Sequence, residues 1–223
     1  MRFLIPLIFG LGGFAVLVSL GLWQVQRLSW KEAILADIET RIAAAPVAVP
    51  ATPEPEDDRL LPVTVGAEVT GDPIRVLASA KGFGPGYRLI YPVRTDSGRA
   101  LMIDFGLIPV EAPLPRMTGR AMDVTGNLHW PDEVDGFTPE PDLGADIWFA
   151  RDVPAMAAAL GVDPVLIIAR ASDPTVVEVT PVPVTTDSIP NSHLGYAIQW
   201  FGLAFVWLGM TVFLLWRIRR RTV

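Results

Sequence analysis

Cysteine is absent from the 223 residues, which excludes disulfide frameworks, thiolate zinc or iron–sulfur sites, thioether-linked haem and cysteine nucleophiles. Histidine occurs only twice, as His129 and His193. No Ser-His-Asp order, phosphate-binding glycine loop or His-x-x-x-His metal spacing is present. The six methionines are scattered and none pairs with a histidine at short spacing, so copper carriage has little support. A basic stripe is also missing. All 24 acidic residues lie between Glu32 and Asp187, against 13 of the 18 basic ones between Arg27 and Arg170, so the middle of the chain carries −11. That balance argues against nucleic acid as a partner, because phosphate binding needs Lys and Arg. The acidic pairs Asp57-Asp58 and Asp132-Glu133 sit in linker-like or turn-like sequence and read as solvated loops.

The ends are apolar and basic where the middle is acidic. Residues 3–22 hold no charge, and at about 1.5 Å per residue they span a bilayer core of roughly 30 Å. A cleavable signal peptide is the rival reading, but Trp23-Gln24-Val25-Gln26-Arg27 follows where a small-residue cleavage site belongs. Residues 194–216 form a second uncharged run, closed by Trp207 and Trp216 before Arg217, Arg219, Arg220 and Arg221. Aromatics suit the headgroup interface, and the arginines place the C-terminus in the cytoplasm. Arg2 agrees, while Arg27 and Lys31 weigh slightly the other way. The expected location is a bacterial inner membrane, with both termini cytoplasmic and the centre periplasmic.

Between the two runs the period changes. Leu28, Ile34, Leu35, Ile38 and Ile42 share a helix face, so the first helix continues outside the membrane to about residue 44. Prolines 46, 50, 53 and 55 with acidic neighbours then predict a solvated linker over 45–60. From Leu61 the alternation of Val63, Val65, Ala67 and Val69 is that of a half-buried strand. Similar strands are predicted over 74–78, 87–95, 99–105, 121–129, 147–150, 166–171 and 176–180, with turn residues between them. Asp152 and Gly161 bracket a short capped helix. Residues 61–180 therefore predict a mainly antiparallel β domain, a barrel or a sandwich, followed by an irregular return over 181–193 and a basic tail over 217–223. The expected class is a membrane α+β protein.

His193 stands at the outer mouth of the second apolar run, where a polar ring is costly without a partner. On a helix it shares a face with Tyr196, Ala197 and Trp200, and Gly195, Gly202 and Gly209 recur every seven residues. Two readings fit: an interfacial histidine whose neighbouring glycines pack against the first helix, or an axial ligand for a flat apolar cofactor lying in a glycine groove. His129 reads as a strand-end residue.

The stretches Gly21-Leu22-Trp23-Gln24-Val25-Gln26-Arg27-Leu28-Ser29-Trp30-Lys31, Gly86-Tyr87, Gly136-Phe137-Thr138-Pro139, Trp148-Phe149-Ala150-Arg151-Asp152-Val153-Pro154-Ala155-Met156-Ala157 and Asn191-Ser192-His193-Leu194-Gly195-Tyr196 occur in one order along nearly the whole chain. In this the chain resembles the surfeit locus protein 1 family, the cytochrome c oxidase assembly factors. The resemblance implies a two-helix membrane protein that helps install haem a into oxidase subunit I, and it implies haem a binding at His193. Where the family usually has Asn-Arg-Gly-Trp-Val-Pro, this chain has Asp104-Phe105-Gly106-Leu107-Ile108-Pro109, so no role of the missing cation and Trp carries over.

The expectation is accordingly a haem chaperone with no catalytic residue. His193 ligates the iron, Tyr196, Trp200 and the glycine face receive the macrocycle, and Arg27 and Lys31 meet the propionates at the same interface. Trp23 stacks on the ring or anchors the helix. Subunit I is the expected partner, haem A synthase a further one, with membrane lipid around both helices. The rival function is a cofactor-free scaffold for a subunit I assembly intermediate.

Overall fold

In a computed structural model describing residues 3–80, 82–186 and 189–220, the first uncharged run opens a 39-residue helix, α1 (Leu4–Ile42). The second forms a 28-residue helix, α3 (His193–Arg220). Both are long and apolar enough to cross a membrane, and between them lies a β domain, so this is a membrane protein of α+β class. Arg2, Lys81, Asp187 and Arg221 of the charge pattern fall outside the described residues. The chain divides into two units: residues up to Asp37 together with those from Thr186 onward, and Ile38–Thr185.

In the first unit the two helices pack antiparallel through small residues on α1. A Cβ on Gly10 would strike Thr211, one on Gly13 would strike the Trp207 indole, and one on Gly21 would strike the Phe201 ring. Trp207 Nε1 donates to Gly10 O at 2.9 Å, and Ala197 and Ala204 are buried in the same seam. Close approach through small residues is how helices associate where lipid supplies no hydrophobic drive. The glycine stripe of α3 behaves otherwise. Positions 195, 202 and 209 meet nothing within 4 Å, because at about 100° per residue they lie some 160–200° round α3 from His193. They neither pack on α1 nor share a face with the imidazole, which corrects both expectations for them.

The second unit is built on one eight-stranded sheet: β1 (Val47–Ala48), β2 (Pro62–Val69), β3 (Ile74–Ala80), β4 (Gly84–Thr95), β5 (Ala100–Pro109), β6 (Ala121–Leu128), β7 (Ile147–Trp148) and β8 (Leu166–Asp173). Pairing runs β2–β6–β8–β5–β4, and β4 returns to β2 through Ala67–Val69 against Val93–Thr95. The ring is therefore closed: of barrel and sandwich, the structure is the barrel. Most pairs are antiparallel, while β1–β2, β3–β7 and β5–β8 are parallel.

Alternation within the strands makes two cores. Leu89, Tyr91, Leu101, Ile103, Val124 and Ile167 fill the barrel. Ile90, Met102, Leu166 and Ile168 face outward and are covered by Val153, Met156 and Ala157 of helix α2 (Val153–Leu160). Burial on both faces explains why β5 reads as a nearly unbroken apolar run. Helix α2 starts and stops as expected, with the Asp152 side chain accepting from Ala155 N at 3.0 Å and Gly161 in the left-handed region.

Two stretches differ from expectation. The acidic, proline-rich segment is tied to the barrel: β1 pairs with Val63–Thr64, Arg99 Nη1 donates to Pro50 O at 2.7 Å, and Asn127 Nδ2 donates to Leu60 O at 2.9 Å. Backbone bonds that a proline pattern cannot reveal supply the order. Residues 176–180 form no strand: Thr180 bridges Leu107 of β5, and Val176 and Val179 pack into the barrel core. Pro174 and Pro181 flank them, and proline cannot donate to a ladder.

Candidate functional site

The last turns of the membrane part of α1 and the first turn of α3 meet at a polar contact. His193 Nδ1 lies 2.8 Å from Gln24 Oε1, and Gln24 is only 8% exposed. With the amide oxygen toward the ring, Nδ1 is the donor in this bond. Nε2 has no partner among the described residues, and the ring is only half-buried. Two turns further along α1, Lys31 Nζ donates to Pro190 O and holds the approach to α3. Amide and ammonium sit on the packed face because positions 21, 24, 28 and 31 recur at helical spacing.

The other expected site residues flank this pair. Tyr196 is 50% exposed and Trp200 half-buried, one and two turns from His193 along α3, with Trp200 on the same face as the imidazole and Tyr196 about 60° round from it. Trp23 is also 50% exposed and lies about 100° round α1 from Gln24. Arg27 is exposed, its Cζ 4.4 Å from the centroid of the Trp30 ring. The structure thus joins His193 to Gln24 and Lys31 to Pro190, and sets Trp23 and Arg27 beside the seam. An imidazole held through one ring nitrogen can ligate a soft or borderline metal through the other. Nothing in its local sequence marks Gln24 as a partner for His193. What signal there is lies in an uncharged amide at the end of an apolar run, one helix away from a histidine.

A second polar cluster lies in the barrel unit. Asp104 is fully buried, its Oδ2 2.6 Å from Arg88 Nε and 3.6 Å from Arg151 Nη1, with Gly106 N donating to Oδ1 at 3.0 Å. Gly106 has φ +119°, and a Cβ there would strike Thr180 O, so this glycine of the altered segment is required by the backbone. Arg151 also grips Glu133 by side chain and backbone. Glu133 lies exposed on a loop, as its sequence context suggests, and its pairing with Arg151 anchors that loop. Burial would raise the Glu133 pKa, yet its bonds to Arg151 outweigh burial and hold it below the usual carboxylate range. The clue for Asp104 was a single carboxylate in an otherwise apolar strand.

His129 follows β6 beside this cluster, its backbone N donating to Leu166 O and its Nδ1 buried without a partner among the described residues. Burial, then the charges of Arg151, Arg59 and Arg88, push its pKa down to about 4, against a smaller upward pull from Glu133. Folding therefore favours the neutral ring. Its contribution to stability is complete above pH about 6.5, is lost as pH falls from there toward 4, and changes no further below. Thermal unfolding of His129→Asn should accordingly show a shallower stability decline between those limits than the parent. Parallel curves over that window would refute the assignment.

A model of the SURF1 family matches residues 11–205. Surfeit locus protein 1 of Rattus norvegicus is 28% identical over 214 residues, covering 85% of this chain and 69% of the relative. The Homo sapiens protein of the same name is 29% identical over 210 residues, covering 83% and 69%. A SURF1-like protein of Monosiga brevicollis is 29% identical over 230 residues, covering 89% and 83%.

Proposed function

The chain belongs to the SURF1 family, and from that premise we propose that it is an assembly factor for a haem-copper terminal oxidase, cytochrome c oxidase. It binds haem a as cargo and helps insert it into oxidase subunit I. The observation that carries this reading is the 2.8 Å bond from His193 Nδ1 to Gln24 Oε1, which leaves Nε2 to meet an iron. A haem-ligating imidazole needs one nitrogen presented and the other held, and the helix seam supplies both conditions.

Around that donor, Tyr196 and Trp200 offer aromatic surface to the edge of a macrocycle. Arg27 is the better placed cation for a propionate, because Lys31 would first have to exchange its bond to Pro190 O. Trp23, beside the seam, serves as a headgroup anchor. The glycine face of α3 has no part in the iron site, since it points away from His193. The protein performs no covalent step of its own; its work is to hold, orient and release.

In this reading both termini are cytoplasmic and the barrel is periplasmic, because Arg217, Arg219, Arg220 and Arg221 outweigh Arg27 and Lys31. Alkaline phosphatase fused near Ala112 should be active and a fusion after Val223 inactive. The reverse pattern would put His193 on the wrong side. The central test is a visible spectrum of protein purified in detergent after co-expression with haem a synthesis. A haem-free preparation from cells rich in haem a would leave the cofactor-free scaffold.

A further inference from the structure

Residues 131–146, between β6 and β7, display an aromatic side chain that the fold goes to some length to keep out of the core. Phe137 is 94% exposed. The loop beneath it is held at both ends: Glu133 is gripped by Arg151, and Asp146 lies 3.5 Å from Arg75, which also donates to Ala145 O. At the tip, Asp135 Oδ1 accepts from Phe137 N at 2.9 Å and from the Thr138 hydroxyl at 3.0 Å, while Asp135 N donates to Thr138 Oγ1 at 2.9 Å. A mobile loop would fold such a ring inward; this one fixes it outward, so the entropy cost of ordering it falls on folding and not on binding.

Beside the ring is a cavity of about 160 Å³ walled by Pro139, Pro141, Trp148 and Phe149, with Glu140 and Asp152 also lining it. Val134 and Leu143 add exposed apolar surface to the same loop. The segment holds six acidic residues and no basic one. Asp132, Asp135, Glu140 and Asp142 form no ion pair among the described residues. A knob and a hole set in a negative field select against anionic lipid headgroups and against a second copy of the same acidic loop.

We infer that this loop docks a polypeptide segment carrying an apolar side chain next to Lys or Arg. The apolar side chain fills the cavity, Phe137 enters a pocket on the partner, and the basic group meets Glu140 and Asp152. Resting on the function proposed above, that segment belongs to the extramembrane face of oxidase subunit I. Phe137 then acts as a central anchor of the kind that dominates interface energetics.

The test is co-purification of subunit I with the tagged full chain in detergent, reading haem content in the same preparations. Phe137→Asp and Glu140→Lys should each lower subunit I recovery, Phe137→Asp by about tenfold or more. Haem content and melting temperature should stay unchanged, because the replaced side chains are exposed. High salt should weaken recovery by the wild type. Unchanged recovery with Phe137→Asp overturns the docking surface, as does a wild type that carries haem yet recovers no subunit I. The latter result leaves the haem reading standing. Absence of both haem and subunit I removes that reading and the docking proposal with it. A dimer that Phe137→Asp converts to monomer would assign the loop to self-association and overturn the proposal too.

Discussion

His193→Ala should abolish the haem spectrum of the purified protein while leaving its yield in the membrane nearly unchanged. The chain has no cysteine, its other histidine lies in the barrel unit, and methionine and tyrosine are poorer replacements at this position. Losing the ring leaves the Gln24 amide unpaired in the seam, and hydrogen bonds between membrane helices are worth only about 0.6 kcal/mol on average. Glycine packing at positions 10, 13 and 21 is untouched, so the helix pair persists. Gln24→Leu isolates the orienting bond: it keeps the imidazole but frees its tautomer and rotation, and haem occupancy should fall by about 10–100-fold in affinity. Retention of a full haem complement by His193→Ala would sink the chaperone mechanism. Loss of haem with undiminished oxidase yield would show that haem binding is dispensable and favour the scaffold.

Asp104→Ala should be the most destabilising single change in the barrel. The substitution strands two largely buried guanidiniums, Arg88 and Arg151, and removes the acceptor for Gly106 N. Breaking a buried ion pair from one side costs about 3–5 kcal/mol. For a domain of this size that corresponds to a fall in Tm of roughly 10 °C. Asp104→Asn keeps an acceptor for Gly106 N and should lose less. Thermal unfolding of the full chain in detergent measures both, and an unchanged Tm for Asp104→Ala would show that the cluster contributes nothing net.

Both predictions depend on residues that were visible in the sequence to different degrees. The spanning helices were legible because lipid demands a long uncharged run, and the strands because a barrel wall alternates its faces. Capping of α2 was legible because Asp152 and Gly161 act through their immediate neighbours. What was not legible is azimuth. Hydropathy shows that residues 194–216 cross a bilayer, but a seven-residue glycine repeat looks the same whether it faces a partner or open space. Only the position of α1 shows that the packing glycines are Gly10, Gly13 and Gly21. Gln24 and the arginines around Asp104 were missed for a related reason: each takes its meaning from a group distant in the chain, and composition carries no record of that pairing.

The bond between Gln24 and His193 joins residues 169 positions apart, one at the end of the first membrane crossing and the other at the start of the second. During synthesis, the first half of this contact is made before the barrel exists and the second only after the barrel has been translated. A chain that stalls or is cleaved anywhere in between retains Gln24 and lacks the imidazole. Under the haem-carrier function proposed above, such partial products lack the iron ligand, and the Gln24–His193 contact forms only once both helices have been made. The contact is thus a mark of completed synthesis, since its second half exists only after everything between Gln24 and His193 has been translated.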